Sequence, residues 1–418
     1  MDEAWLHVLE RLGIQEVIRL RRISPHFSRL CCRFLRMQTS FDLQRDCPRA
    51  VANPDAISSI MSFFGNSLRH VTLRVHAPDA KYEAMASSSH IDTSVIRTIC
   101  QKSQRLVSIE MDRMILTLGA IEKFGELPAT IERFRISNCL MSCSQWDVIT
   151  IIRRSFDKLL ERCHCLRTFE ISGRSLNNCR FNLDPQILNR LSDTIENLAI
   201  SVGSSIRIED LAFLKRKKLR SLVLQRSFIS ASSLQDLVPM ADTLVHLDLS
   251  YSPNLLDATL VAKLHMLKRL SLSSNRDGID DEALSRICSS CPLLESLSID
   301  QCSLLTRESL MQLGKLQHLK RLTMSGVSNA DDAICYQIAK CSKLEELDLN
   351  FCRKIRKAGL CAILTNLRHL DHLEVLGIAD YSHQLLAKRP NFPKTIVCDG
   401  PIQHFTFTLP PIPNMAVA

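Results

Sequence analysis

Two short cysteine motifs are the first candidates for chemistry in this sequence. Cys288 and Cys291 have the two-residue separation found in half of a zinc site or in a dithiol redox motif. Cys163, His164 and Cys165 also combine residue types that bind transition metals. Neither motif has a second Cys or His pair at ligand spacing, and Cys163, Cys288 and Cys291 fall on positions of an internal repeat. We therefore expect structural thiols, and no cofactor is predicted.

The chain lacks the signatures of several enzyme classes. Its 418 residues contain no P-loop, no glycine-rich dinucleotide turn, no His-Glu-x-x-His motif and no Gly-x-Ser-x-Gly nucleophile elbow. Only 12 residues are glycine and 5% are aromatic, which argues against glycine-rich nucleotide-binding frameworks and aromatic-rich β-sandwiches. We expect a non-catalytic protein whose core consists mainly of leucine and isoleucine.

The sequence also predicts where the protein resides. No basic segment followed by an apolar run marks a secretory signal, and no stretch reaches about 18 uninterrupted apolar residues. The 17 cysteines, an odd number, are most simply explained as reduced thiols. We expect a cytoplasmic or nuclear protein, or both, without disulfides and without membrane contact.

Five of the net +9 charges lie in one short run formed by residues 215–218 and Arg220. Such a run can be a nuclear localisation signal or a contact with an anionic surface. It also immediately precedes a repeat strand, where charged side chains in a loop are simply solvated, and we favour this interpretation. No aromatic residues are interleaved with the basic ones, so nucleic-acid binding is not expected.

An internal repeat organises most of the chain. The pattern apolar-x-x-apolar-x-apolar recurs with first positions separated by 25, 23, 27, 25, 25 and 29 residues, which are leucine-rich-repeat periods. Weaker copies occur earlier, with separations of 38, 25, 35, 29 and 24 residues. About twelve repeats are predicted within residues 46–399, the first five irregular. Their first positions are Leu68, Leu106, Ile131, Leu166, Ile195, Leu219, Leu244, Leu267, Leu294, Leu319, Leu344 and Leu373.

Each repeat combines a short strand with a helical segment. Alternation along residues 219–225 directs Leu222 and Leu224 inward and Ser221 and Val223 outward. Residues 280–288 have apolar side chains at helical spacing. Stacked repeats bury these faces, which predicts an α/β fold, a right-handed solenoid with a parallel sheet on its concave face. Small or amide side chains recur at one turn position, and cysteines recur before the first anchor: Cys139, Ser227, Ser252, Asn275, Cys302 and Cys352 at the turn, and Cys163, Cys291 and Cys341 before the anchor.

Two known sequence patterns resemble parts of this chain. Residues 291–310 and 342–360 are similar to the cysteine-containing leucine-rich repeat. Residues 1–45 predict three short helices, with Ser24-Pro25 starting the third, and are similar to the F-box. The family's leading Leu-Pro would lie just before and at Met1, and its usual Cys is Ser24 here. The similarity rests on the acidic pair Asp2-Glu3 and on Leu6, Val8, Leu9, Leu12, Val17, Ile18, Leu20, Ile23 and Phe27.

The resemblance implies the substrate receptor of an SCF-type ubiquitin ligase. Its F-box would bind the Skp adaptor and, through it, cullin, while the concave repeat face would bind a protein target. The alternative is a leucine-rich-repeat scaffold or inhibitor without a ubiquitin role, whose first helices cap the solenoid. The implied adaptor-binding residues are Leu6, Leu9, Leu12, Val17, Ile18, Leu20, Ile23 and Phe27.

Outward strand positions are the candidates for target recognition. Arg269 and Arg321 lie two strands apart, roughly 10 Å at the usual strand spacing. A mixed strip containing arginine suits a charged peptide or phosphopeptide, because guanidinium groups bind anions bidentately. A solvated sheet face is the other interpretation. The candidate target-binding residues are Arg133, Arg135, Asp248, Arg269, Arg321, Glu346 and Asp348.

Two stretches do not fit the repeats. Residues 77–94 include three consecutive serines and predict an exposed loop. Residues 400–418 contain Pro410-Pro411-Ile412-Pro413 and form a C-terminal tail that cannot continue the repeats. This tail is either disordered or folds back over the concave face.

Overall fold

The structure, a computed structural model, describes residues 2–75, 90–142, 148–172, 185–201, 206–208, 211–229, 231–252, 255, 257–276, 278–378 and 393–398. The tail at 400–418 and residues 77–89 of the predicted loop lie outside this range. The chain forms two compact units. The first unit comprises residues 1–208 and 212–226, and the second comprises residues 209–211 and 227–418.

Three helices begin the first unit, as the sequence predicts. They are α1 (Asp2–Glu10), α2 (Ile14–Leu20) and α3 (Pro25–Met37). Ser24 starts α3 by accepting a hydrogen bond from the backbone N–H of Phe27 at 3.2 Å. The Arg21 guanidinium lies 3.7 Å from the ring centre of Phe63, which ties the end of α2 to the following segment.

Parallel strands dominate the rest of the first unit. The strands β1, β2, β4, β6, β8, β9 and β11 pair in that order, and β3, β5 and β7 form a separate three-stranded parallel sheet. The first unit has the strands β1 (Ser40–Asp42), β2 (His70–Arg74), β3 (His90–Ile91), β4 (Ser108–Asp112), β5 (Ile115–Thr117), β6 (Arg133–Ser137), β7 (Leu140–Ser142), β8 (Thr168–Ser172), β9 (Asn197–Ser201), β10 (Ile206–Ile208) and β11 (Ser221–Leu224).

Helices of successive repeats cover one side of these strands. Helix α5 packs on α6, α6 on α7, and α7 on α8. Four phenylalanines fill the layer between strands and helices, with ring centres 5.3 Å to 6.0 Å apart. These are Phe124, Phe134, Phe156 and Phe169, all with 0% exposure. The helices are α4 (Leu43–Asp46), α5 (Pro54–Met61), α6 (Thr93–Lys102), α7 (Leu118–Glu122) and α8 (Val148–Arg162).

The second unit repeats the same arrangement with shorter strands. Its strands β13 to β19 pair in parallel in sequence order. The strands are β12 (Ser227–Ile229), β13 (His246–Asp248), β14 (Arg269–Ser271), β15 (Ser296–Ser298), β16 (Arg321–Thr323), β17 (Glu346–Asp348), β18 (His372–Val375) and β19 (Thr395–Cys398). The helices are α9 (Ala231–Gln235), α10 (Asp281–Ser290), α11 (Arg307–Leu310), α12 (Asp332–Ile338) and α13 (Lys357–Asn366).

These elements form a leucine-rich-repeat-like fold, and the predicted first anchors are buried in every repeat. Eleven of the twelve repeats also have the predicted register, in which the second anchor pairs with the second anchor of the next strand. The last repeat is the exception, because Leu373 pairs with Leu347 and therefore occupies the second anchor. The apolar pattern can begin at Leu370, with Leu373 as second anchor, or at Leu373, with Leu376 as second anchor. Strand pairing shows that it begins at Leu370.

The structure also corrects the predicted ends of the array. Strand β1 (Ser40–Asp42) pairs with β2, so the sheet begins inside the predicted 45-residue helical module, which ends at Met37. At the other end, β19 continues the strand ladder beyond the predicted twelfth repeat. The predicted loop at 77–94 ends earlier than expected, since β3 and the start of α6 occupy residues 90–94.

Turns after the strands follow one repeated geometry. The residue before each small turn residue has a left-handed backbone, for example Gln301 at φ 57° and Phe351 at φ 60°. The next side chain donates to a carbonyl of the preceding repeat: Asn275 Nδ2 to Leu249 at 2.9 Å, Cys302 Sγ to Leu272 at 3.5 Å and Cys352 Sγ to Met324 at 3.2 Å. The predicted turn role of these positions is confirmed.

Candidate interaction surfaces

The cysteine motifs belong to the repeat framework. The Sγ atoms of Cys163, Cys291 and Cys341 donate to carbonyls of the preceding repeat at 3.6 Å, 3.6 Å and 3.5 Å. Burial raises the pKa of Cys288 to about 12 and that of Cys291 to about 11, so both thiols stay protonated at neutral pH. Within the described ranges, no group of three His, Cys, Asp or Glu side chains is placed to hold a metal ion.

Helix α1 and the turn between α2 and α3 expose apolar side chains that a folded domain would normally bury. Trp5 is 38% exposed, Val8 46% and Ile23 63%. The Trp5 ring meets the half-buried Phe27 ring edge to face, with 5.1 Å between their centres. We call Trp5, Val8, Ile23 and Phe27 the N-terminal patch. Exposed apolar groups of this kind mark interaction surfaces when they are grouped on one small module.

The residues predicted to bind an adaptor fall into three classes of exposure. Leu9 and Val17 have 0% exposure and pack inside the helical module, so their contribution is to its core. Ile23 is exposed. The half-buried members are Leu6, Leu12, Ile18, Leu20 and Phe27. Sequence analysis did not assign Trp5 and Val8 to the site, although their i, i+3 spacing with Leu9 at i+4 signals a helix face wider than the module can bury.

The outward arginines of the first unit are engaged by neighbouring strands. Arg135 Nε lies 2.8 Å from Glu170 Oε2, and its Nη1 lies 3.9 Å from Glu110 Oε2. Arg133 Nη2 approaches His70 Nδ1 at 3.3 Å. Glu110, Arg135 and Glu170 are in register on three adjacent strands, whereas His70 and Arg133 lie two strands apart, and the charges on this face largely neutralise one another.

The outward face of the second unit contains the other predicted target-binding residues. Arg269, Ser296, Arg321 and Glu346 are successive partners in the strand ladder. Arg269 and Arg321 are therefore two strands apart, as the sequence predicts. Arg321 Nη1 lies 3.9 Å from Glu346 Oε1, a long and exposed ion pair that is weakly held.

A line of carboxylates runs along the other end of these strands. Asp348 and Glu374 are ladder partners on β17 and β18. The Asp300 carboxylate reaches back over the sheet, where Oδ2 accepts from Ser273 Oγ and Thr323 Oγ1, both at 2.9 Å. We call Asp248, Asp300, Asp348 and Glu374 the acidic row. Glu374 is absent from the predicted target-binding residues because the predicted register of the last repeat is wrong.

The acidic row has the electrostatic signature of like charges held together. Burial, followed by the carboxylates of Glu374 and Asp300, raises the pKa of Asp348 to about 6, against the lowering effect of the hydrogen bond from the backbone N–H of Asn350. Glu374 accepts from Asn350 Nδ2 at 2.6 Å and contacts His372 Nε2 at 2.9 Å. The row is therefore oriented mainly by neutral donors, and its negative charge persists at neutral pH.

The basic run is only partly a solvated loop. Lys215, Arg216 and Lys218 are exposed, as predicted. Lys217 is 6% exposed, and its Nζ donates to the carbonyls of Leu191 at 2.7 Å and Ser192 at 3.3 Å. For Lys217 the prediction of a solvated side chain is wrong, because three acceptors from the preceding repeat, including Asp193 Oδ1 at 3.2 Å, compensate its burial.

Comparisons with known proteins give no family assignment. No protein-family model matches this chain. A Caenorhabditis elegans protein named "Putative RNA-binding protein EEED8.10" is 23% identical over 424 residues, covering 96% of this chain and 53% of that protein. The chain thus spans about half the length of this curated relative.

Solved structures similar to this chain include leucine-rich-repeat proteins. An internalin (inlF) from Listeria monocytogenes is 15% identical with a TM-score of 0.48, covering 83% of this chain and 89% of that chain. The leucine-rich-repeat protein LIC12759 from Leptospira interrogans is 12% identical with a TM-score of 0.42, covering 87% of this chain and 100% of that chain. Separately, no described helix is long and apolar enough to cross a membrane.

Proposed function

We propose that this chain is the non-catalytic substrate receptor of an SCF-type ubiquitin ligase in the cytoplasm or nucleus. The observation that supports it best is the N-terminal patch, which exposes Trp5 and Val8 on α1 and Ile23 in the turn before α3, directly before a leucine-rich-repeat ladder. In this proposal the patch binds the Skp adaptor, which in turn binds cullin. The outward strand faces bind the protein target.

Simple energetics support a partner for the patch. Fully burying one large apolar side chain contributes about 1.5–3 kcal/mol, so covering the exposed parts of Trp5, Val8 and Ile23 would favour docking and offset part of the entropy lost on association. The helices are preorganised by the buried Leu9, Val17, Leu30 and Phe34. Docking therefore requires little ordering of the module.

The proposal requires no catalytic residue in this chain. Ubiquitin transfer would take place in partner proteins, and the receptor would only hold a target near them. The buried thiols agree with this role, because burial raises the pKa of Cys302 to about 12 and of Cys341 to about 11, so neither is a nucleophile at neutral pH.

A scaffold without a ubiquitin role is the main alternative. RNA binding, which appears in the name of the Caenorhabditis elegans relative, is a second one, and that relative has as much sequence again outside the shared region. The acidic row would repel phosphates, which speaks against RNA on the outward face of the second unit.

Co-purification with the N-terminal patch altered tests the proposal. The variant Trp5→Ser, Val8→Ser, Ile23→Ser changes exposed side chains, so the module should stay folded. The matched control Leu304→Ser, Tyr336→Ser changes two exposed apolar residues of the second unit, 46% and 53% exposed. We expect the full-length chain and the control to recover Skp adaptor and cullin, and the patch variant to recover at least tenfold less.

Two results would contradict the proposal. Absence of adaptor from the unaltered chain favours a scaffold, and equal recovery by the patch variant places the contact elsewhere. RNA recovered after ultraviolet cross-linking, without adaptor, would favour the function named for the relative.

A further inference from the structure

The outward sheet face of the second unit has an excess of negative charge in a chain whose net charge is +9. Five carboxylates and two guanidinium groups project from strands β13 to β18 and the turn after β15. We call this surface the acidic face. Its charged members are Asp248, Arg269, Asp300, Arg321, Glu346, Asp348 and Glu374.

We propose that the acidic face binds an extended, lysine- and arginine-bearing segment of a target protein. This inference deepens the proposed function and rests on it only for the consequence of binding, which would be recruitment to the ligase. The partner's chemistry follows from charge complementarity with the face.

The hydrogen bonds of the face leave its negative charge in place. Asp300 accepts from Ser273, Thr323 and the backbone N–H of Ser325, the last at 2.8 Å from Oδ1. Asp248 Oδ1 accepts from Ser250 N and Oγ at 3.0 Å and 2.7 Å. Neutral donors orient the Asp300 carboxylate without cancelling its charge, which prepares it for a cation at little reorganisation cost.

Positions just before the strands behave differently. Glu295 lies 3.3 Å from Lys268 and 3.0 Å from Lys320, and Lys394 lies 2.8 Å from Asp371. That row neutralises itself in the way the first unit does. Among the described residues, the excess of negative charge on this sheet therefore lies on the outward strand positions and the turn after β15.

Two aromatic side chains extend the acidic face at the turns. Tyr251 is 51% exposed and Phe351 is 52% exposed, and both have left-handed backbones at φ 61° and φ 60°. Bulky residues rarely adopt this conformation, which asparagine and glycine accept more easily. Phe351 lies over Gly377, where a Cβ would come within 2.7 Å of the Phe351 Cδ1 atom. Exposed rings beside carboxylates suit lysine and arginine through cation–π contact.

The dimensions fit a short extended segment. Strands β13 to β18 carry the acidic row across five strand spacings, roughly 24 Å, which about seven extended residues span. The C-terminal tail at 400–418 contains no lysine or arginine, so its sequence lacks the charges that complement this face.

Fluorescence anisotropy with a labelled nine-residue peptide (Lys-Arg-Ser)₃ tests the proposal on the full-length chain. The peptide (Glu-Asp-Ser)₃ and a nine-nucleotide oligouridylate are the matched probes. We expect the basic peptide to bind at least tenfold more tightly than either. Stronger binding of the acidic peptide or of the RNA would overturn the proposal.

Matched variants locate the site. Asp300→Asn, Asp348→Asn, Glu374→Gln should weaken the basic peptide at least tenfold. The control Asp257→Asn, Glu282→Gln, Glu308→Gln removes the same charge from non-strand positions of the same unit and should change affinity less than twofold. Equal weakening by both sets would show a general charge effect and refute a site on this face.

A second variant distinguishes loss of the binding site from loss of folding. Tyr251→Asn, Phe351→Asn changes exposed residues to one that tolerates the left-handed backbone, and we expect roughly threefold weaker binding of the basic peptide. Unchanged affinity in both this and the acidic-row variant would overturn the inference. Adaptor recovery should be unaffected by any of these changes, so its loss or absence bears on the proposed function alone.

Discussion

The two units are built from the same repeat, but the charged side chains on their outward strand faces are arranged differently. In the first unit, Arg74 Nη2 lies 2.6 Å from Asp42 Oδ2 and Arg135 bridges Glu110 and Glu170, so charged side chains pair across strands. In the second unit, Asp300, Asp348 and Glu374 are gathered on one line and oriented mainly by hydroxyl and amide groups. A face whose charged side chains already form ion pairs gains little electrostatic energy from a charged partner. A face on which like charges lie close together is stabilised by a partner of opposite charge. This contrast is the reason that we propose the second unit as the region for target recognition.

The cores of the two units also differ, since the first contains a phenylalanine cluster. Among the predicted changes, truncating a core side chain should lower the free energy of unfolding the most. Phe134 packs against Phe124, Phe156 and Phe169 in the first unit. We expect Phe134→Ala to lower the free energy of unfolding by about 3–5 kcal/mol, because it removes a fully buried ring and leaves a cavity. Urea denaturation combined with hydrogen exchange should show lost protection first in residues 108–172.

The matched change in the second unit is Leu322→Ala, for which we expect about 2–5 kcal/mol, with the loss of protection first in residues 296–348. Uniform loss of protection across both units in either variant would contradict the idea that the aromatic cluster and the leucine core stabilise separate regions.

A smaller effect should come from the buried lysine of the first unit. Lys217→Met removes the donor for the carbonyls of Leu191 and Ser192 and should lower the free energy of unfolding by about 1–3 kcal/mol. The neighbouring Lys218 is exposed, so Lys218→Met should change it by less than about 0.5 kcal/mol. Similar values for both variants, measured by urea denaturation, would mean that the Lys217 contacts contribute nothing.

Removing one carboxylate of the acidic row should change the free energy of unfolding the least, and it should raise this free energy rather than lower it. The pKa of Asp348 is raised to about 6, so folding favours its protonated form, and the resulting stability is lost as pH rises through 6. Asp348→Asn should then raise the free energy of unfolding at pH 7.5 by about 1 kcal/mol, a value reduced because the side chain is only half-buried. The groups that act on Asp348 are Asp300, Asn350, His372 and Glu374, and Thr323 is its partner on the neighbouring strand.

The pH dependence supplies the control for this prediction. The gain from Asp348→Asn should shrink as pH falls towards 4, where the native carboxyl is protonated. In the first unit, Glu170→Gln breaks the ion pair with Arg135 and should lower stability at pH 7.5. Destabilisation by both substitutions would remove the electrostatic contrast between the two units.

The sequence predicted the repeat ladder well because leucine periodicity directly reports core positions. It missed β1 because the first-anchor position there is the polar Gln38, and β19 because Pro393 and Cys398 replace leucine. The small sheet of β3, β5 and β7 was missed because strands of two or three residues carry too few side chains to show alternation.

The ion pairs and hydrogen bonds between repeats were harder to predict from the sequence, although aligned repeat positions indicate some of them. Arg135 and Glu170 each lie four positions after a first anchor, so aligning the repeats would have placed them side by side. Glu374 was lost to the register error in the last repeat. Nothing in the run 215–218 distinguishes Lys217 from its neighbours, because its two carbonyl acceptors and one carboxylate acceptor are 24 to 26 residues away in sequence.

Hydrogen–deuterium exchange of the full-length chain, with and without purified Skp adaptor, tests the proposed function most directly. The proposal predicts that the adaptor slows exchange in residues 2–37, where the N-terminal patch lies, and leaves the strands of the second unit unchanged. Unchanged exchange in residues 2–37 at saturating adaptor, or slowing confined to the repeats, would contradict it.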